Sequence, residues 1–135
     1  MKDGYIKILE VLEKQNYRLK CYYNTCIKLL DYEVNDFDII FGKKIYIYGC
    51  GDIGKRYYEI IKNYADVIAF IDQSPQNNLY KYEDIDVISL NEFNNNIKFD
   101  YIVITLEDLY QAINDDLIGI GIDADKIKSI DEIIC

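Results

Sequence analysis

The residues with the clearest capacity for chemistry stand in one run, Gly49-Cys50-Gly51-Asp52-Ile53-Gly54, a complete G-x-G-x-x-G. In a strand–turn–helix each glycine has its own role. Gly49 lets the chain turn sharply, Gly51 lets a pyrophosphate come close to the backbone, and Gly54 lets the helix pack tightly on the strand. The first-turn amides then face the phosphates, and the helix dipole favours their negative charge. The setting gives the spacing its weight. It directly follows Ile45-Tyr46-Ile47-Tyr48, opens an amphipathic helix, and is followed by a second apolar strand ending in Asp72, 18 residues after Gly54. An acid there accepts hydrogen bonds from a ribose hydroxyl pair and repels a 2′-phosphate, so NAD is favoured over NADP. Gln73 and Ser74 follow, and neither supplies the Arg that an NADP site uses. The competing reading is a fold that keeps its glycines for packing, with Asp72 as a strand-end cap.

Other residues carry weaker signals. Cys50 lies inside the loop, where a helix N-terminus lowers a thiol pKa; the plainer reading is a small residue filling a tight turn. Lys55 and Arg56 are within reach of a phosphate, but their positions suit solvated helix residues. Thr105 and Leu106 end a later strand beside the switch point where ligands sit in doubly wound sheets, which makes Thr105 a possible contact. The acidic cluster Glu83, Asp84 and Asp86 reads as a solvated loop.

Composition bounds the chemistry. The chain has 135 residues, a net charge of −9 and no histidine. The missing imidazole removes the commonest general base and metal ligand. Cys21, Cys26, Cys50 and Cys135 show no CxxC pair and no zinc spacing, so reduced thiols and no metal are expected. An acidic surface repels nucleic-acid phosphates and anionic membranes. The opening Met1-Lys2-Asp3-Gly4 runs into charged helical sequence without a signal-peptide pattern, and no stretch is long and apolar enough to span a bilayer, so the expected compartment is the cytoplasm.

The elements that must position the loop follow from periodicity. Residues 4–31 repeat apolar positions at three- and four-residue spacing, with a possible break at Gln15-Asn16. This region packs on the sheet or pairs with a second chain. Residues 32–42 connect it to alternating strands and helices. Strands are expected over 44–48, 67–71, 86–89, 101–105 and 127–130, and helices over 52–64, 90–95 and 109–117. Residues 72–84, with Pro75, read as a loop, and 131–135 as a terminal turn. The expected fold is α/β: a Rossmann-like three-layer unit over 43–135, preceded by an N-terminal helical extension over 1–42. Its parallel five-stranded sheet has the order 3-2-1-4-5.

The strings Lys44-Ile-Tyr-Ile-Tyr-Gly-Cys-Gly-Asp-Ile-Gly54, Ile68-Ala-Phe-Ile-Asp72 and Val87-Ile-Ser-Leu-Asn-Glu-Phe93 carry a resemblance. It is to small Rossmann-like domains attached to bacterial enzymes of cell-surface polysaccharide and nucleotide-sugar metabolism. These are the N-terminal domains of CapD-like dehydratases and epimerases, those of PglD-like acyltransferases, and companion domains of FkbM-type methyltransferases. Tyr101-Ile-Val-Ile-Thr105 fits their fourth strand. The resemblance covers roughly residues 43–130. It implies binding positions at Gly49, Gly51, Gly54 and Asp72 and carries over no catalytic residue. The Tyr-x-x-x-Lys pair of the dehydratases belongs to a further domain; Tyr58 and Lys62 lie on the wrong helix to replace it.

The expected function is therefore a module that binds a nucleotide, NAD or a nucleotide sugar, in polysaccharide or nucleotide-sugar biosynthesis, without catalysis of its own. Its loop contacts are Gly49, Cys50, Gly51, Asp52, Ile53 and Gly54, with Asp72 and Thr105 beyond the loop. A homodimer or a larger enzyme partner would engage residues 4–31. Two alternatives remain: a small NAD-dependent oxidoreductase or an epimerase/dehydratase fragment, and an interaction domain with a vestigial site. A methyltransferase is disfavoured, because Tyr48 stands where an acid is usual and the third glycine falls one position late.

Overall fold

The computed structural model describes residues 2–73 and 81–134, with side chains from residue 4 onward. The loop expected over 72–84 therefore lies mostly outside the described residues, including Ser74 and Pro75, as does Cys135. The chain begins with one 30-residue helix, α1 (Lys2–Asp31), with no break at Gln15-Asn16. Gln is a good helix former, Asn costs only a few tenths of a kcal/mol, roughly, and no Gly or Pro lies between Gly4 and Gly42 to stop the helix. A series of turns then leads to Gly42, whose φ of 72° lets the chain reverse into the sheet.

The alternating unit follows as β1 (Lys44–Tyr48), α2 (Asp52–Ile61), β2 (Asp66–Ile71), β3 (Lys81–Tyr82), β4 (Ile85–Ile88), β5 (Tyr101–Ile104), α3 (Tyr110–Gly119), β6 (Ile127–Ser129) and α4 (Ile130–Ile134). The sheet order is β3-β4-β2-β1-β5-β6. Every pairing is parallel except β3 with β4. The expected five-strand order is the run from β4 to β6, and β3 adds a sixth strand at the edge. Its hairpin replaces the expected acidic loop: Lys81 pairs with Asp86, and Glu83 takes a φ of 54° in the two-residue turn. A two-residue strand has no periodicity to read, and such turns usually announce themselves with Gly or Asn rather than Glu.

Other boundaries moved. α2 ends at Ile61 rather than 64, because residues 62–64 turn to place the Tyr64 carbonyl on the Gly42 amide at 2.7 Å. The helix expected over 90–95 is a single 3-10 turn, Leu90–Glu92, capped reciprocally by Ser89 and Glu92. The terminal turn is the short helix α4.

Strand alternation divides the core by face. Ile45, Ile47, Phe70 and Val103 point to one side, where Tyr57 and Ile61 of α2, Leu29 of α1 and Ile130 of α4 cover them. Tyr46, Tyr48, Ile71, Ile102 and Ile104 point to the other, under Ile113 and Leu117 of α3. Covering on both faces explains why the central strands are apolar throughout. Among the described residues no helix is long and apolar enough to cross a membrane.

Candidate functional site

β1 delivers the chain to the glycine run at the carboxyl edge of the sheet, between β2 and β5, where the strand order reverses. This is the switch point of a doubly wound sheet. The three glycines there do different things. Gly49 has a φ of 108°, and a Cβ on it would lie 2.5 Å from Thr105 Oγ1. A Cβ on Gly54 would lie 1.9 Å from the Gly49 carbonyl oxygen. These two glycines are demanded by the chain's own packing. Gly51 is not: its backbone is extended, with φ −90° and ψ −161°, and a Cβ there would meet nothing within 4 Å. Gly51 is the N-cap of α2, with no side-chain hydrogen bond to cap it. The first amides of a helix have no intrahelical acceptor, so those of Asp52, Ile53 and Gly54 open the helix without a capping side chain. Asp52 puts a carboxylate in this first turn. The Lys55 ammonium lies 5.4 Å from the Tyr82 ring centroid.

Asp72 and Thr105 are both held by the fold. Asp72 is 9% exposed, and its Oδ2 accepts the Cys50 amide at 2.7 Å. Its own amide donates to the Ile88 carbonyl at 2.8 Å. The acid thus ties the glycine loop to the ends of β2 and β4, the role of the strand-end cap. Thr105 is 2% exposed. Its hydroxyl and its amide both donate to the Tyr48 carbonyl, at 2.8 and 3.0 Å, stapling the ends of β5 and β1 beneath Gly49. Cys50 follows the plainer reading, a small residue filling a tight turn, and not that of a lowered thiol pKa. It is 2% exposed, and burial, with Lys55 opposing and Asp72 reinforcing, pushes the thiol up from 9.0 to about 11. Desolvation of the thiolate outweighs the helix N-terminus.

The structure also supplies a wall that spacing alone could not show. α1 crosses the carboxyl edge of the sheet, and a cleft of about 520 Å³ opens between it and residues 105–108 after β5, with Ile53 of the glycine run on its wall. Gln15, Arg18 and Tyr22 of α1 line one side; Ile53, Thr105 and Leu106 line the other. The volume lies within the range of about 300–1,000 Å³ usual for small-molecule sites. Arg18 closes one end, with Nε 3.0 Å from Asp108 Oδ2. α1 is held in place by a polar network at the end of β6. Thr25, fully buried, donates to Asp131 Oδ1 at 3.3 Å, and Lys28 lies 3.6 Å from the same oxygen. Ser129 donates to Glu107, which also accepts the Asp131 amide at 3.4 Å. Burial raises the Glu107 carboxyl above its ordinary value; the Ser129 hydrogen bond opposes this and the Asp131 charge adds to it. No periodicity links residues 18–28 to 107–131, so these contacts had no signal in the sequence.

Of the residues predicted for the site, Ile53 and Thr105 thus line the cleft, while the three glycines, Cys50, Asp52 and Asp72 are not among its lining residues. No curated protein matches the chain. A family model described as C2185-like, N-terminal matches residues 41–128, from the turn before β1 into β6. That description names no ligand or reaction. The match spans more than half of the 135 residues, and the chain belongs to the C2185-like N-terminal domain family.

Proposed function

We propose that this chain is a nucleotide-binding module whose glycine loop and adjoining cleft hold NAD or a nucleotide sugar. One observation carries the reading: Gly51 faces open space at the uncapped N-terminus of α2, while Gly49 and Gly54 are used up by packing. A loop kept only for packing has no need of glycine at the middle position, where the backbone angles suit any residue. Phosphate would sit on the amides of residues 52–54, aided by the helix dipole. The Asp72 carboxylate, behind the loop, disfavours a second phosphate on the ribose and so favours NAD over NADP. The resemblance to domains of polysaccharide and nucleotide-sugar enzymes supplies the proposed setting. Binding is favoured over catalysis, because the cleft offers neither histidine nor a Tyr-x-x-x-Lys pair.

A second reading has its own support. Asp72 and Thr105 already serve the loop and the strand ends, as an interaction domain with a vestigial site would have it. Calorimetric titration with NAD, NADH and UDP-sugars separates the two. Saturable binding by the native chain, abolished in Gly51→Val with its fold intact by circular dichroism, supports the module. No heat with any of these ligands refutes it and leaves the interaction domain.

A further inference from the structure

Helix α1 buries few of its residues against its own fold and leaves most of its large apolar side chains exposed. Thr25 and Leu29 are buried against the α/β unit. About a third of a turn away, at 3.6 residues per turn, an apolar stripe runs the length of the helix. It keeps an alternating four- and three-residue spacing from Tyr5 to Leu30. That is a heptad seam, the pattern with which two helices supercoil. The d positions are Tyr5, Leu12, Leu19 and Cys26; the a positions are Leu9, Asn16, Tyr23 and Leu30. All but Cys26 are exposed, Leu19 at 66%, Tyr23 at 65% and Leu30 at 76%.

We propose that this stripe pairs with the same stripe of a second copy, as a parallel, in-register, two-stranded coiled coil. Asn16 identifies the occupant. A single Asn among apolar a positions fixes register and selects two strands, at a cost in stability. In a parallel pair, Asn16 faces Asn16 of the second copy, and each side-chain amide offers both a donor and an acceptor. In an antiparallel pair an a residue faces a d residue, so Asn16 would lie against leucine with its amide unsatisfied.

Charge agrees with this pairing. The molecule carries −9, yet the flanking e and g positions hold only Glu13 and Lys20 as charged groups, one of each sign. In the parallel register Glu13 meets Ile8 of the second copy and Lys20 meets Gln15, so no like charges face each other. The geometry also leaves room at the N-terminal end of the seam. Thr25 is a c position away from the seam, and Leu29 is a g position beside it; Leu19, Cys26 and Leu30 border clefts against the α/β unit, whereas Tyr5, Leu9 and Leu12 lie on the N-terminal part of the helix, at the far end of the seam from Thr25 and Leu29. The inference does not depend on any ligand.

The test uses the whole chain in sedimentation equilibrium, with cysteine cross-linking to read the orientation. The expected species is a dimer. Leu9→Glu together with Leu12→Glu should convert it to a monomer with unchanged thermal unfolding of the α/β unit, since neither leucine touches that unit's core. Leu9→Cys should form a disulfide between the two introduced thiols on mild oxidation, identified by peptide mass. A monomeric native chain overturns the proposal and leaves the stripe to a different protein. A trimer or larger species overturns it as well. A dimer in which the introduced thiols fail to join, or which survives both glutamates, overturns the seam or its direction.

Discussion

Gly54→Ala should unfold this domain far more readily than its small size suggests. The added Cβ would lie 1.9 Å from the Gly49 carbonyl oxygen and 2.9 Å from the Gly49 carbonyl carbon. Both atoms are backbone and cannot rotate away. Nor can Gly49 move freely, because its amide is held by the Ile71 carbonyl at 2.7 Å and Thr105 presses on it from the other side. Overpacking costs about 1–3 kcal/mol where side chains can adjust; a clash with fixed backbone belongs at the upper end. Breaking the loop's hydrogen bond adds about 1 kcal/mol, and the better helix propensity of Ala returns about 1 kcal/mol. The net loss is about 3 kcal/mol, against a total stability of about 5–15 kcal/mol. For a chain of this length it corresponds to a fall in Tm of about 10 °C. Gly51→Ala is the control: its φ of −90° suits alanine and its Cβ meets nothing, so only an N-cap change of about 0.5 kcal/mol is expected. Urea denaturation followed by circular dichroism compares the two. Equal midpoints would refute the division of labour among the glycines, and with it the case for a ligand at Gly51.

Three further outcomes are expected. Thr25→Val keeps the shape of a fully buried side chain but removes its hydrogen bond to Asp131, so stability should fall by about 1.5–3 kcal/mol; urea denaturation measures it, and no change would mean that α1 is held by other contacts. Tyr57→Phe removes a buried hydroxyl with no partner among the described residues, so stability should rise by about 1 kcal/mol; a loss in calorimetric Tm would reveal a partner for that hydroxyl. Folding keeps Cys50 protonated up to about pH 11, whereas an ordinary thiol ionises near 9.0. The unfolded chain therefore loses its proton first, and Cys50 should lower stability as pH rises from 9 towards 11, a slope that Cys50→Ala should reduce. Iodoacetamide labelling at about pH 8, just below the ordinary thiol range, should reach Cys21 and Cys26 well before Cys50 when read by peptide mass.

Much of the fold was legible because it follows from local rules. Strand, glycine turn, amphipathic helix and acid-ended strand appear in order between residues 44 and 72, and the structure keeps all four. The central strand order is the simplest doubly wound arrangement that alternating strands and helices with right-handed crossovers allow. The elements that escaped are those without a period. β3 has two residues, and the turn after it carries Glu83 where a glycine would have signalled a hairpin. The possible break at Gln15-Asn16 is absent for the opposite reason, since weak propensity does not interrupt a helix without a stop signal.

The sequence by itself determined where the loop lies, because G-x-G-x-x-G constrains the backbone of residues adjacent in the chain. Tertiary structure alone decided what each loop residue is free to do. Gly49 and Gly54 resemble Gly51 in the sequence, yet Thr105, far along the chain, and the Gly49 carbonyl occupy their surroundings and leave Gly51 open. Asp72 has the place of a ribose acceptor, yet the Cys50 amide takes one of its oxygens. Cys50 sits at a helix N-terminus, yet burial outweighs the dipole. The Arg18 and Tyr22 wall came from a helix outside the motif, held by Asp131 from the far end of the chain. Local spacing prescribes conformation, whereas the availability of a side chain depends on neighbours that only long-range packing brings together.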